Sequence, residues 1–84
     1  MHKFFKTDLT TYQAVQTGLD EALYDEYILT EKCAHILSPD LQPMTDGLIY
    51  IVMPDFITSN PVAEVYINQL VEISSEEFYA AVNS

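Results

Sequence analysis

Tyr12, Val15, Leu19, Ala22 and Leu23 recur at spacings of three and four, the period of one helix face. The stripe predicts a helix over residues 10–25. Asp8 or Thr10 can cap it, because either side-chain oxygen can accept from a free first-turn N–H. Gly18 falls inside the helix and costs about 1 kcal/mol relative to alanine. Either its flank packs closely on another element, or the helix is locally weak. Upstream, "HKFFKTD" holds two aromatics in a short segment closed by polar residues. It reads as a first strand or an extended arm near residues 2–7.

Between Tyr27 and Leu37 neither period dominates, since Ile28, Leu29, Cys33, Ile36 and Leu37 suit a strand or a helical turn. The reading taken is a strand near 28–36, ending before "SPD", because the residue ahead of Pro39 is pushed towards extended geometry. "SPDLQPMTDG" carries two prolines and an Asp-Gly pair, which mark a loop. "LIYIVM", residues 48–53, is β-branched and aromatic, and is bounded by Gly47 and Pro54. It reads as a buried central strand. Asn60 suits an N-cap and Pro61 the first helical position, where a missing N–H is no loss. Val62, Val65, Tyr66 and Leu70 then share the inward face of a helix over 61–69. "LVEIS" reads as a short edge strand at 70–73. Ser74 and Glu77 have the spacing of a capping box, and open a short last helix with Phe78, Ala81 and Val82 inward.

These elements place the chain in the α+β class: a small sheet of three to four strands covered by two main helices, with a short C-terminal helix packed at one edge. With 84 residues, no repeat and no dividing linker, residues 1–84 are expected to form a single compact acidic domain. A hydrophobic fraction of 49% favours folding over disorder. A single core of this size nonetheless gives only marginal stability. Association into a homodimer would complete such a core, and a strictly monomeric mass by light scattering would remove that expectation.

Charge changes the picture most. Thirteen acidic residues face three lysines and no arginine, for a formal net charge of −10. Lys3, Lys6 and Lys32 all fall in the first 32 residues, and from Cys33 onwards seven acids meet no Lys or Arg. Direct nucleic-acid binding rests on cations that neutralise phosphates, and attraction to an anionic membrane surface fails for the same reason. No nucleic acid and no membrane is therefore expected as a partner. What the charge favours is a basic protein partner, steered in by a negative field. The longest apolar run has six residues against the roughly 20 that span a bilayer. The N-terminus lacks an apolar signal-peptide core, and the lone Cys33 makes no internal disulfide. A soluble protein of a reducing cytoplasm is expected.

The run "LDEALYDEYILTE", Leu19 to Glu31, holds Asp20, Glu21, Asp25, Glu26 and Glu31 with no basic residue among them. On a helix, Asp20 and Glu21 lie off the apolar stripe. Glu21 and Asp25 are like-charged neighbours four apart, and Asp25 sits near the helix C-terminus, the wrong end for an anion. The plain reading is a solvated face. The functional reading is that a cationic partner docks there and the local cost is tolerated. Tyr24 and Tyr27, flanked by acids, suit a grip on Arg or Lys through cation–π contact and ion pairing. The candidate partner-binding set is therefore Asp20, Glu21, Tyr24, Asp25, Glu26, Tyr27 and Glu31. Reversal of Asp20, Glu21, Asp25 and Glu26 to Lys is expected to leave the fold intact but to abolish partner binding.

Other chemistry fares worse. A calcium loop needs oxygen ligands where this run has apolar residues, and a glycine at its sharp turn. Cys33 and His35 share one face of a strand, but a zinc site needs about four ligands and only His2 adds a nitrogen. A buried thiol beside an ordinary histidine is the plain reading. As nucleophile and base, the pair has no orienting group or oxyanion loop, and two glycines make no phosphate cradle. No metal, no cofactor and no enzyme activity are expected.

"FFKTDLTTYQAVQTGLDEAL" and "VEISSEEFYAAV" resemble small, mostly uncharacterised accessory proteins encoded by tailed bacteriophages. The resemblance implies a setting, a protein acting on a host machine or within the particle, and it carries no catalytic or binding residues. Two functions are then expected to compete. One is an inhibitor whose carboxylates occupy the basic groove of a host nucleic-acid-binding or defence complex, as a DNA mimic in an anti-restriction or anti-CRISPR role. The other is a structural or assembly component of the virion, binding through tyrosine- and valine-rich faces.

Overall fold

The computed structural model describes residues 2–27 and 36–83, the side chains of 25–27 excepted. Three strands, β1 (His2–Thr7), β2 (Ile49–Pro54) and β3 (Val71–Ile73), form an antiparallel sheet in the order β2-β1-β3. Four helices accompany them: α1 (Leu9–Tyr27), α2 (Asp55–Thr58), α3 (Pro61–Ile67) and α4 (Ser75–Val82). The architecture is the expected small α+β fold, with α2 as an element the sequence pattern had not indicated.

β1 is the central strand. Phe5 faces Ile51 on one side and Glu72 on the other, while Phe4 faces Val52 and Ile73. "LIYIVM" does form a strand, but among the described residues it lies at the sheet edge rather than in the centre. Its burial alternates: Ile49, Ile51 and Met53 are buried, while Val52 between them is 45% exposed. The strand expected near 28–36 lies outside the described residues, except Ile36, which sits in a bend.

The core lies between the inner face of the sheet and the helices. Tyr12, Val15, Leu19 and Leu23 of α1 pack with Phe5, Ile49, Ile51, Met53, Ile57, Ala63 and Ile67 in one apolar cluster. Asp8 is the cap of α1: its Oδ1 accepts from Thr11 N at 2.7 Å, and this bond holds its carboxyl below the ordinary range.

Gly18 marks the crossing of α1 with α3. A Cβ built there would stand 2.3 Å from Tyr66 Cε1 and 2.5 Å from Cδ1, well inside van der Waals contact. The first of the two readings of Gly18 therefore holds: its bare flank receives an aromatic ring.

α3 begins as its sequence foretold, with Asn60 accepting from Val62 N at 2.9 Å and Pro61 at the first helical position. Its inward face differs from the expectation. Ala63 and Ile67 are buried and Tyr66 is half-buried, whereas Val62 and Val65 are 52% and 68% exposed. Two apolar stripes overlap on this short helix. The one that turns inward carries Ala63 and Ile67.

α4 covers the outer face of the sheet instead of packing at an edge. Phe4 and Tyr50 point outward and need cover, and Phe78 supplies it, with ring centroids 5.0 Å from Phe4 and 6.5 Å from Tyr50. Phe78 and Ala81 are partly buried, but Val82 is 36% exposed, so it is not inward as expected. Ser74 Oγ accepts from Glu77 N at 3.1 Å, which is half of a capping box. The Glu77 carboxylate goes to Lys6 Nζ, 2.8 Å away, in place of returning to the cap.

Candidate functional site

The acidic run starts on the third and fourth turns of α1, and the structure divides it. Asp20 is half-buried. Its Oδ1 accepts from Ile36 N at 2.7 Å and its Oδ2 from Gln16 Nε2 at 2.6 Å. This carboxylate ties the returning chain to α1, so it departs from the expectation of a free, reversible surface charge. Glu21 and Tyr24 are exposed, Tyr24 at 53%, and three residues apart they share one flank of the helix. Asp25, Glu26 and Tyr27 occupy the last turn of α1, but their side chains lie outside the described residues. Glu31, Lys32, Cys33 and His35 lie outside them altogether.

Next to Asp20, the Tyr12 hydroxyl donates to Ser38 O, a second tie between α1 and the segment after residue 36. Burial pushes the Tyr12 hydroxyl above the ordinary tyrosine value, and the charge of Asp20 adds to this. The folded state thus holds this proton more tightly than the unfolded one. The stability it contributes is complete below the unfolded tyrosine value of about 10 and is lost as pH rises through the higher folded value. Denaturant unfolding of the wild type should weaken with pH in that range, and Tyr12→Phe should reduce the dependence. An unchanged dependence in Tyr12→Phe would contradict the assignment.

A second region combines elements far apart in sequence. Lys3 and Phe5 of β1, Glu72 of β3, Thr58 of α2 and Glu64, Ile67, Asn68 and Leu70 at α3 line a cleft of about 270 Å³. Phe5, Ile67 and Leu70 among them are buried. Lys3, Glu64, Asn68 and Glu72 are exposed along its walls. Lys3 makes no ion pair among the described residues. The sequence pattern did not single out this set. The pairing of Phe5 with Glu72 is what brings it together, and nothing local signals that pairing.

Across the described surface, charge is abundant and little neutralised. Asp8, Glu21, Asp40, Asp46, Asp55, Glu64, Glu72, Glu76 and Glu77 are all exposed, while Lys6 is engaged with Glu77. The Asp46 carboxylate accepts from Tyr50 Oη at 2.7 Å and from Leu48 N at 2.9 Å. These bonds hold its carboxyl below the ordinary range, so it keeps its charge under mildly acidic conditions. Among the described residues, no group of three or more His, Cys, Asp or Glu side chains could hold a metal ion. No described helix is long and apolar enough to cross a membrane. Compared with known proteins, the chain matches no family model, no curated protein and no solved structure.

Proposed function

We propose that this chain is an acidic protein-binding module that engages a basic partner through its carboxylates. It would act as a phage-encoded inhibitor that occupies the nucleic-acid-binding groove of a host or defence complex. The observation that carries this reading is the exposure of nearly every described carboxylate on a chain of net charge −10. Such a surface attracts a basic groove at long range and repels nucleic acid itself. The phage setting is supported by the resemblance of the two stretches quoted above. The experiment is affinity capture on immobilised protein at low ionic strength, where charge-driven binding is strongest, followed by elution with salt. A basic, nucleic-acid-binding partner that is retained and then released is the expected result, and retention of no partner contradicts the reading.

A second reading is favoured by the outer side of the sheet, where Val52, Val71 and Tyr79 are 45%, 56% and 52% exposed. Apolar contacts there would suit a structural or assembly component of a phage particle, with the charge serving solubility. Added salt would then leave association intact, since apolar contacts are not screened. Mass spectrometry of purified virions would find the chain.

A further inference from the structure

Asp46 and Gly47 make the one Asp-Gly pair of the chain, and every other aspartate precedes a residue with a side chain. A glycine leaves its own nitrogen unshielded, so an aspartyl side chain can close on it. Gly47 adopts a φ of 80°, and a Cβ built there would meet nothing within 4 Å. Both residues are exposed to water. The turn nevertheless engages each atom that such a ring closure uses. Gly47 N donates to Met44 O at 2.9 Å. Asp46 Oδ1 accepts from Leu48 N at 2.9 Å, and Oδ2 accepts from Tyr50 Oη at 2.7 Å.

We propose that Asp46–Gly47 is a site of spontaneous aspartate isomerisation, and that the Tyr50 hydroxyl is the latch that keeps it closed in the folded chain. The chemistry needs only water. Gly47 N bonds to Asp46 Cγ and gives up its proton, while the protonated carboxyl loses its OH, and the two leave as one water. The product is a cyclic imide, a succinimide. Water then opens the ring. Breaking the new bond from Gly47 N to Cγ restores aspartate. Breaking the bond from Gly47 N to the Asp46 main-chain carbonyl carbon leaves isoaspartate, with the chain running through Cγ and its net charge unchanged. Ring closure therefore has to break the bonds of the turn, because the amide loses its proton and a carboxyl oxygen departs. It also needs a protonated carboxyl. The Tyr50 hydroxyl is the largest of the influences that keep this carboxyl ionised; Leu48 N follows, and Lys6, opposite Tyr50 in the strand register, adds its charge. Tyr50 keeps its own proton for the bond, held above its ordinary value first by Asp46 and last by the charge of Glu77.

The test ages the whole protein in mildly acidic buffer at physiological temperature. The aged chain is then unfolded, its isoaspartyl carboxyls are labelled with a protein isoaspartate methyltransferase, and the label is located by peptide mass spectrometry. Tyr50→Phe keeps the ring that lies against Phe78 and removes only the hydroxyl. It should accumulate isoaspartate at Asp46 about fivefold faster than the wild type, the scale of one lost hydrogen bond. Tyr79→Phe, which leaves the bond to Asp46 in place, should age as the wild type does. Held unfolded in denaturant, all three chains should isomerise at one rate, faster than any of them does when folded. Melting curves of the variants should match the wild type, and the comparison of folded with unfolded wild type needs no variant. A Tyr50→Phe chain that ages at or below the wild-type rate overturns the latch. So does a wild type as labile folded as unfolded. No label at Asp46 even in the unfolded chain overturns the site itself.

Discussion

Asp20→Ala is expected to lower the stability of the fold by about 1.5–3 kcal/mol, the range for hydrogen bonds to a charged group. The carboxylate receives the backbone N–H of Ile36 and the amide of Gln16. Ile36 is sixteen residues further along the chain, so the bond closes a long excursion onto α1. Removing it strands a partly buried N–H, whose desolvation is then uncompensated. For a domain of 84 residues the loss corresponds to a fall in melting midpoint of roughly 10 °C. Glu21→Ala, one residue on but exposed, should stay within about 0.5 kcal/mol. Thermal melts of the two variants side by side decide the matter: equal midpoints would mean that Asp20 is only another solvated acid. The contrast also bears on charge reversal along α1. A reversal that includes Asp20 is expected to damage the fold, so any loss of binding would be uninterpretable unless Asp20 is left intact.

Gly18→Ala carries the second large effect, and its sign is diagnostic. At an exposed helix position the change would stabilise by about 1 kcal/mol. Here the new methyl group would meet the Tyr66 ring at 2.3 Å, and overpacking of this kind costs about 1–3 kcal/mol. The ring cannot yield freely, because Tyr66 packs against the apolar core. In a Tyr66→Ala background the obstruction is gone, and Gly18→Ala should then be neutral or stabilising. Denaturant midpoints for the four members of this cycle measure the coupling. Gly18→Ala stabilising the otherwise wild-type chain would refute the close crossing of α1 and α3.

These two positions also show what the sequence could disclose. The helix of α1 was legible because Tyr12, Val15, Leu19 and Leu23 repeat at its period, and Asn60 with Pro61 announced α3 through purely local chemistry. Gly18 signalled a close approach or a weak point, but only the fold says what approaches. Pairing is non-local, so "LIYIVM" read as a strand without revealing that β1, and not β2, holds the centre of the described sheet. On α3, Val62 and Val65 look like core in the sequence because they are β-branched residues at helical spacing. A second stripe through Ala63 and Ile67 fits equally well, and contact with α1 selects it. Asp20 looked like its acidic neighbours because the bond that ties it to Ile36 comes from a backbone amide, which no residue type betrays; only Gln16, four residues earlier, offered a local sign of a partner. The cleft was invisible for a related reason, since Lys3, Glu64 and Glu72 converge only once β1 pairs with β3.

As proposed, the carboxylate surface would take the place of nucleic acid on a basic partner. Competition tests it most directly: a captured partner is loaded with its nucleic acid, and this protein is titrated in at constant ionic strength. Mutual exclusion is expected, with nucleic acid displaced as the protein binds. A stable ternary complex, with both bound to the partner at once, would contradict it.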